Sequence, residues 1–157
     1  GLVATIYGKA FAAEMAAVDS LAYCGLGWDD AQMLTLCEAL RAAHAGSGLR
    51  KLEKLDLAGN QMGDGAMAAL TALVAEGTMP NLKQLYLSSN QISVAGIAAL
   101  ASALRGGAMP LCARILLDRN RGSEALVQKA LASPERAAAL DWRDRGRRGH
   151  ANLLCIS

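Results

Sequence analysis

The sequence predicts an α/β solenoid, wound right-handed, with parallel strands on an inner face and helices on the outer face. Three observations predict it. Residues 52–80 and 82–110 align without a gap and share 11 identities in 29 positions. Each copy opens with leucines that alternate around an exposed residue, the period of a short strand with one buried face. Each copy closes with an Ala-rich segment whose apolar residues recur at helical spacing. Self-similarity at a fixed interval of this size marks stacked supersecondary units, none of which can bury its apolar face alone. The chain has 157 residues, 53% hydrophobic and 19% charged, so it is one short array with a real core and not a disordered chain. Aromatics are only 4%, so that core is built from Leu, Ala, Met, Val and Ile.

Residues 1–51 are expected to form a capping or degenerate repeat. Val3, Ile6, Phe11 and Met15 suit a helix over 3–16. Leu21 and Cys24 are aligned with Leu57 and Asn60, which leaves Asp19 where a leucine belongs. A helix over 34–42 carries Leu34, Cys37, Leu40 and Arg41.

Residues 52–132 hold three units. Leu52, Leu55, Leu57 and Asn60 recur as Leu82, Leu85, Leu87 and Asn90, then as Cys112, Ile115, Leu117 and Asn120. An Asn side chain can bond backbone groups where a chain turns, so a column of three would satisfy buried loop amides. Met67, Leu70 and Val74 fall on one helical face, as do Ile97, Leu100 and Leu104. Gly77 and Gly106-Gly107 end these helices, and Pro80 and Pro110 return the chain to the next strand. Residues 133–157 are expected to give a last degenerate strand turn at Leu140–Arg145 and then a basic tail.

The pattern L-x-x-L-x-L-x-x-N resembles leucine-rich repeats, and the repeat length with its helical second half resembles their ribonuclease-inhibitor-like class. That resemblance covers residues 18–145, most clearly 52–120. It implies a short horseshoe segment and a protein-interaction role, as in inhibitors, immune sensors and GTPase regulators.

Charge and motifs exclude more than they name. Residues 111–157 carry nine basic and five acidic side chains, too small an excess to predict specific nucleic-acid binding. No stretch of 18 apolar residues suits a membrane span, and no basic-then-apolar leader opens the chain. Cys24, Cys37, Cys112 and Cys155 form no C-x-x-C pair, so reduced thiols are expected and no metal or cofactor. His44 and His150 fall in polar stretches and read as solvated. Gly46-Ser47-Gly48 lacks the spacing of a nucleophile elbow, and Gly25-x-Gly27 and Gly63-x-Gly65 lack the third glycine of a phosphate cradle.

What remains is the inner face. Lys54, Asp56, Gln84, Tyr86, Arg114, Leu116 and Asp118 alternate with the buried leucines and are the candidate protein-binding residues. Ala58 and Ser88 share that face. The expected protein is a non-catalytic interaction module, an accessory or scaffold subunit of a larger assembly. The alternatives are a regulator of a small GTPase or a fragment of a multidomain leucine-rich-repeat sensor. The expected location is intracellular, with the cytoplasm favoured and an organelle, after loss of a targeting segment, kept open.

Overall fold

The computed structural model describes residues 17–46 and 49–153. Strands and helices alternate in the order β1 (Ser20–Ala22), α1 (Asp30–Gly46), β2 (Lys54–Asp56), α2 (Asp64–Ala75), β3 (Gln84–Tyr86), α3 (Val94–Arg105), β4 (Arg114–Leu116), α4 (Ala125–Leu131) and α5 (Pro134–Leu153). The four strands form one parallel sheet in chain order. Successive helices α1 to α4 stack side by side on one face of it. The expected helix over 3–16 lies outside the described residues.

The strand register puts Leu21, Leu55, Leu85 and Ile115 in one buried row. This corrects the alignment of the first unit. Leu21 stands beside Leu55, not Leu57, and Asp19 takes the exposed place of Glu53. The Asp19 carbonyl accepts from Glu53 N at 2.8 Å and Lys54 N at 3.1 Å, as the Glu53 carbonyl accepts from Lys83 N at 2.8 Å and Gln84 N at 3.0 Å. The first unit is therefore 34 residues long by the pairing of Leu21 with Leu55, against 30 for Leu55 with Leu85. The excess is helix: α1 has 17 residues where α2 and α3 have 12, about one turn more.

Helix α1 starts on a reciprocal cap. Asp29 Oδ1 accepts from Ala31 N at 2.8 Å, and Gln32 Oε1 accepts from Asp29 N at 3.0 Å. The buried stripe of α1 is Met33, Cys37, Leu40 and Ala43, while Leu34 is 44% exposed. The expected face was one residue out at its start, because Leu34 and Met33 are equally apolar and periodicity cannot choose between them.

Helices α2 and α3 bury the expected Met67, Leu70, Val74, Ile97, Leu100 and Leu104. Gly77 and Gly107, at φ 77° and 82°, follow the last turns in the left-handed conformation that ends a helix without a Cβ penalty. Glycines also stand close to a carboxylate at two adjacent places of the repeat, Gly65 in one unit and Gly96 in the next. A Cβ on Gly65 would lie 2.6 Å from Asp30 Oδ2, and one on Gly96 would lie 2.6 Å from Asp64 Oδ1. These carboxylates bind the next unit: Asp30 Oδ1 accepts from Gly63 N at 2.6 Å and Asp64 Oδ1 from Ser93 N at 2.8 Å.

The asparagine column joins the units. Asn90 Nδ2 donates to the Leu57 and Leu87 carbonyls, both at 3.0 Å, and its Oδ1 accepts from Met62 N at 3.0 Å. Asn60 bonds Tyr23 O, Leu57 O and Trp28 N in the same way, and Asn120 bonds Leu87 O, Leu117 O and Ile92 N. Each amide thus ties its own strand end to the turn of the preceding unit.

The expected strand at Leu140–Arg145 is a helix. Pro134 stands in its first turn and Ser133 Oγ accepts from Arg136 N at 3.2 Å, a strong helix start that the leucine pattern could not outweigh. Buried Arg136 lies against the end of α3 and donates to the carbonyls of Leu104 at 2.9 Å, Ala108 at 2.7 Å and Met109 at 2.6 Å. A cation at a helix C-terminus is favoured by the dipole as well as by these bonds. Arg143 Nη1 adds a bond to Gly107 O at 2.6 Å.

Leu85→Ala is expected to cost about 2–5 kcal/mol as a buried leucine, and Asn90→Ala about 1–3 kcal/mol through unpaired loop amides. Chemical denaturation checks both; an unchanged midpoint for Leu85→Ala would place that side chain outside the core. Acid stability gives a second check. Hydrogen bonds from the Ser93 hydroxyl and amide hold the Asp64 carboxyl below its ordinary 3.8. Its contribution is complete above that ordinary value and is lost as pH falls through the lower native one. Asp64→Asn should therefore lose less stability than the wild type on acidification below about pH 4, read by thermal melts across that range.

Candidate protein-binding face

Alternation along each strand sends Lys54 and Asp56, Gln84 and Tyr86, and Arg114 and Leu116 to the face opposite the helices, while the intervening leucines and Ile115 are buried. Pairing sets them in rows: Lys54, Gln84 and Arg114 form one, and Asp56, Tyr86 and Leu116 the next. Two residues further along each strand stand Ala58, Ser88 and Asp118. All seven candidate residues therefore share one surface.

Most polar groups there are held by one another. The Tyr86 hydroxyl donates to Gln84 Oε1 at 2.6 Å. Lys54 Nζ lies 4.7 Å from the Tyr86 ring centroid and 3.6 Å from Asp56 Oδ2. A cation over an aromatic face is attracted by the ring quadrupole, so Lys54 fixes the ring while Gln84 fixes its hydroxyl. Ser88 Oγ donates to Asp118 Oδ1 at 2.5 Å. Arg114 is exposed and takes part in no side-chain hydrogen bond or ion pair among the described residues, and Leu116 stands half-buried beside Tyr86.

The corrected register adds residues that sequence reasoning missed. Ser20 stands beside Lys54 and Ala22 beside Asp56, so the face continues over β1 with small side chains. Exposed Cys24 follows them, where Tyr23 N donates to Asp56 O and Gly25 N to Ala58 O, both at 2.8 Å. The Tyr23 and Trp28 rings stack with centroids 5.2 Å apart and, with Gln32, Thr35, Leu36 and Ala39, line a hollow of about 300 Å³. Their being aromatics in an otherwise aromatic-poor chain was the available signal.

Other candidates separate from this face. His44 is exposed, and the His150 side chain lies outside the described residues. Gly25 and Gly27 have φ of 69° and 67°, as turn residues do. Among the described residues no group of three or more His, Cys, Asp or Glu could hold a metal, and no helix is long and apolar enough to cross a membrane. Burial pushes the Cys37 and Cys112 thiols up to about 11, which keeps them protonated and unreactive near neutral pH.

The parallel strands, stacked helices and asparagine column define a leucine-rich-repeat solenoid. Residues 48–70 and 78–101 match the family described as Leucine Rich repeat. The tropomodulin C-terminal domain from Caenorhabditis elegans has the same fold, with a TM-score of 0.59 and 19% identity over 90% of this chain and 97% of that one. A structure titled Leiomodin-1 Actin-Binding Site 2 is similar with a TM-score of 0.57 and 12% identity over 94% of this chain and 95% of that one. No curated protein matches the sequence.

Thiol accessibility follows from this burial. In a Cys155→Ser background, Cys24 should react rapidly with a thiol reagent, and Cys37 and Cys112 only after denaturant is added. Three equally fast thiols in the native protein would contradict the placement of α1 and β4.

Proposed function

We propose that the protein is a non-catalytic interaction module whose inner sheet face docks another protein, as an accessory or scaffold subunit of a larger intracellular assembly. One observation carries this reading: Tyr86 is held in place from two sides, by Lys54 at its ring and Gln84 at its hydroxyl, with exposed Arg114 and half-buried Leu116 on the neighbouring strand. A large aromatic fixed before binding loses little conformational freedom on association. Tyr and Arg are the side chains most enriched at binding hot spots. Their spacing follows from the strand register, so the anchor, the cation and the apolar Leu116 are presented together.

The fold neighbours support the same use of this architecture. One of them is titled an actin-binding site, which makes actin the first partner to test. Co-sedimentation with actin, and size-exclusion chromatography of native extract, address partner identity and assembly separately. The protein is expected to elute in a complex well above its own 16.3 kDa. Tyr86→Ala with Arg114→Ala should weaken that complex by about tenfold or more, as for two hot-spot truncations. A complex that survives both substitutions would show that the inner face is not the docking surface.

A further inference from the structure

The two ends of the array are finished differently. At the C-terminal end the last strand is closed by its own unit: Gln128 Nε2 donates to Ile115 O at 3.2 Å, and Ile115, Leu117 and Val127 are buried. At the other end Tyr23, Trp28, Leu36 and Ala39 are half-buried around the hollow of about 300 Å³, although their places in the next unit are fully buried. Leu26, in the turn between the two aromatics, is 51% exposed. The polar side chains at the hollow have engaged oxygens: Gln32 Oε1 accepts from Asp29 N at 3.0 Å, and Thr35 Oγ1 donates to Ala31 O at 3.1 Å. An apolar occupant therefore suits this end.

Composition and spacing point to the occupant. Four of the six aromatic residues, Tyr7, Phe11, Tyr23 and Trp28, fall in the first 28 positions. Two of them line the hollow, and the other two stand in residues 1–16, which lead directly into the first unit. Ala17 is helical, Asp19 lies in a bend and Ser20 opens β1. Val18 packs against the core. Tyr7, Phe11, Met15 and Val18 recur at i, i+4, i+8 and i+11, which is one face of a helix. Val18 thus marks which face of such a helix meets the core. The lengths agree as well. A rise of about 10 Å takes the chain from Ser20 to Tyr23, and a helix covers the same distance in about seven residues. Counted back from Val18, that residue is Phe11.

We propose that residues 3–17 dock on this end as a helix antiparallel to β1, with Phe11 in the hollow against Tyr23 and Trp28. Tyr7 and Met15 flank it along the same face. The segment fills the place of a preceding unit and takes the apolar end surface out of water. A partner that stacks on this end has first to displace it, whereas the inner sheet face stays open. The assignment does not rest on the docking role proposed for that face.

Photo-crosslinking of the full chain tests the assignment. With p-benzoylphenylalanine incorporated at position 11, irradiation should join that side chain to residues 23–39 of the same molecule, read by mass spectrometry of the digested monomer. Products confined to other segments, products formed only between molecules, or no product overturn the proposal. A second readout follows Trp28 alone, in a Trp142→Phe background that removes a side chain 74% exposed on α5. Tyr7→Ala with Phe11→Ala should raise acrylamide quenching of Trp28 about twofold or more, as apolar cover is lost. Ile6→Ala, roughly 140° around the helix from Phe11, should leave it unchanged. Equal quenching in all three proteins, or an equal rise for Ile6→Ala, also overturns the proposal. Protection of Trp28 that appears only at high protein concentration would assign the end to a second copy instead. Tyr86→Ala with Arg114→Ala should alter neither readout, which separates this surface from the inner face.

Discussion

The amide group of the asparagine repeated in each of the last three units is the interaction on which the remainder of the solenoid depends. A three-residue strand has few ladder bonds, and a turn between strand and helix leaves carbonyls and amides with no regular partner. Asn60, Asn90 and Asn120 satisfy these groups from inside the turn, the first two buried and Asn120 half-buried. Each also reaches one unit back, to Tyr23 O, Leu57 O and Leu87 O respectively. Packing alone would let a short strand slide; a buried amide that is satisfied only in one register makes sliding costly.

That constraint explains which parts of the fold were legible. Units two to four carry the full set of apolar residues and an asparagine, so their strands, helices and inner-face residues could be placed at once. The first unit lacks the asparagine: Leu26 stands in its place, Tyr23 in that of Leu57 and Val18 in that of Leu52. With only Leu21 as a guide, a shift of two residues preserved the alternation of faces and so gave no warning. The extra turn of α1 is invisible for the same reason, since helix length does not alter strand pattern. The last segment failed differently. Leu140 and Trp142 imitate a strand at short range, but Pro134 and the Ser133 cap commit the chain to helix before they are reached. Of the inner face, the positions could be read from period two. The Lys54–Tyr86 contact and the Tyr86–Gln84 bond could not, because they depend on rotamers chosen by neighbours on other strands.

The two ends of the array answer the same physical problem in different ways. At the C-terminal end, α4 is only seven residues long, and α5 covers what a full unit would otherwise cover. Arg136 is buried there with no carboxylate beside it among the described residues, and burial lowers its pKa, yet three carbonyls at the end of α3 and in the turn after it hold the cation. At the other end, Tyr23, Trp28, Leu36 and Ala39 occupy the places of Leu57, Met62, Leu70 and Leu73. The latter four are fully buried by the first unit, whereas the former four are half-buried, with no preceding unit among the described residues.

Stacking also determines what kind of surface the protein presents. Every unit repeats the same backbone, so side chains on the sheet face and at the turns fall in columns one strand spacing apart. Specificity then comes from which residue fills each place in a column. Across the inner face the column through Asp56, Tyr86 and Leu116 passes from charged to aromatic to aliphatic. Across the turns, Lys51, Asn81 and Leu111 pass from cationic to polar to apolar. Both gradients run along the axis of the array, so a partner docked on the proposed face would be read by successive units and not by any one of them. The rigidity that the asparagine ladder confers is what keeps those columns in register, which links the amides directly to the exposed side chains they never touch.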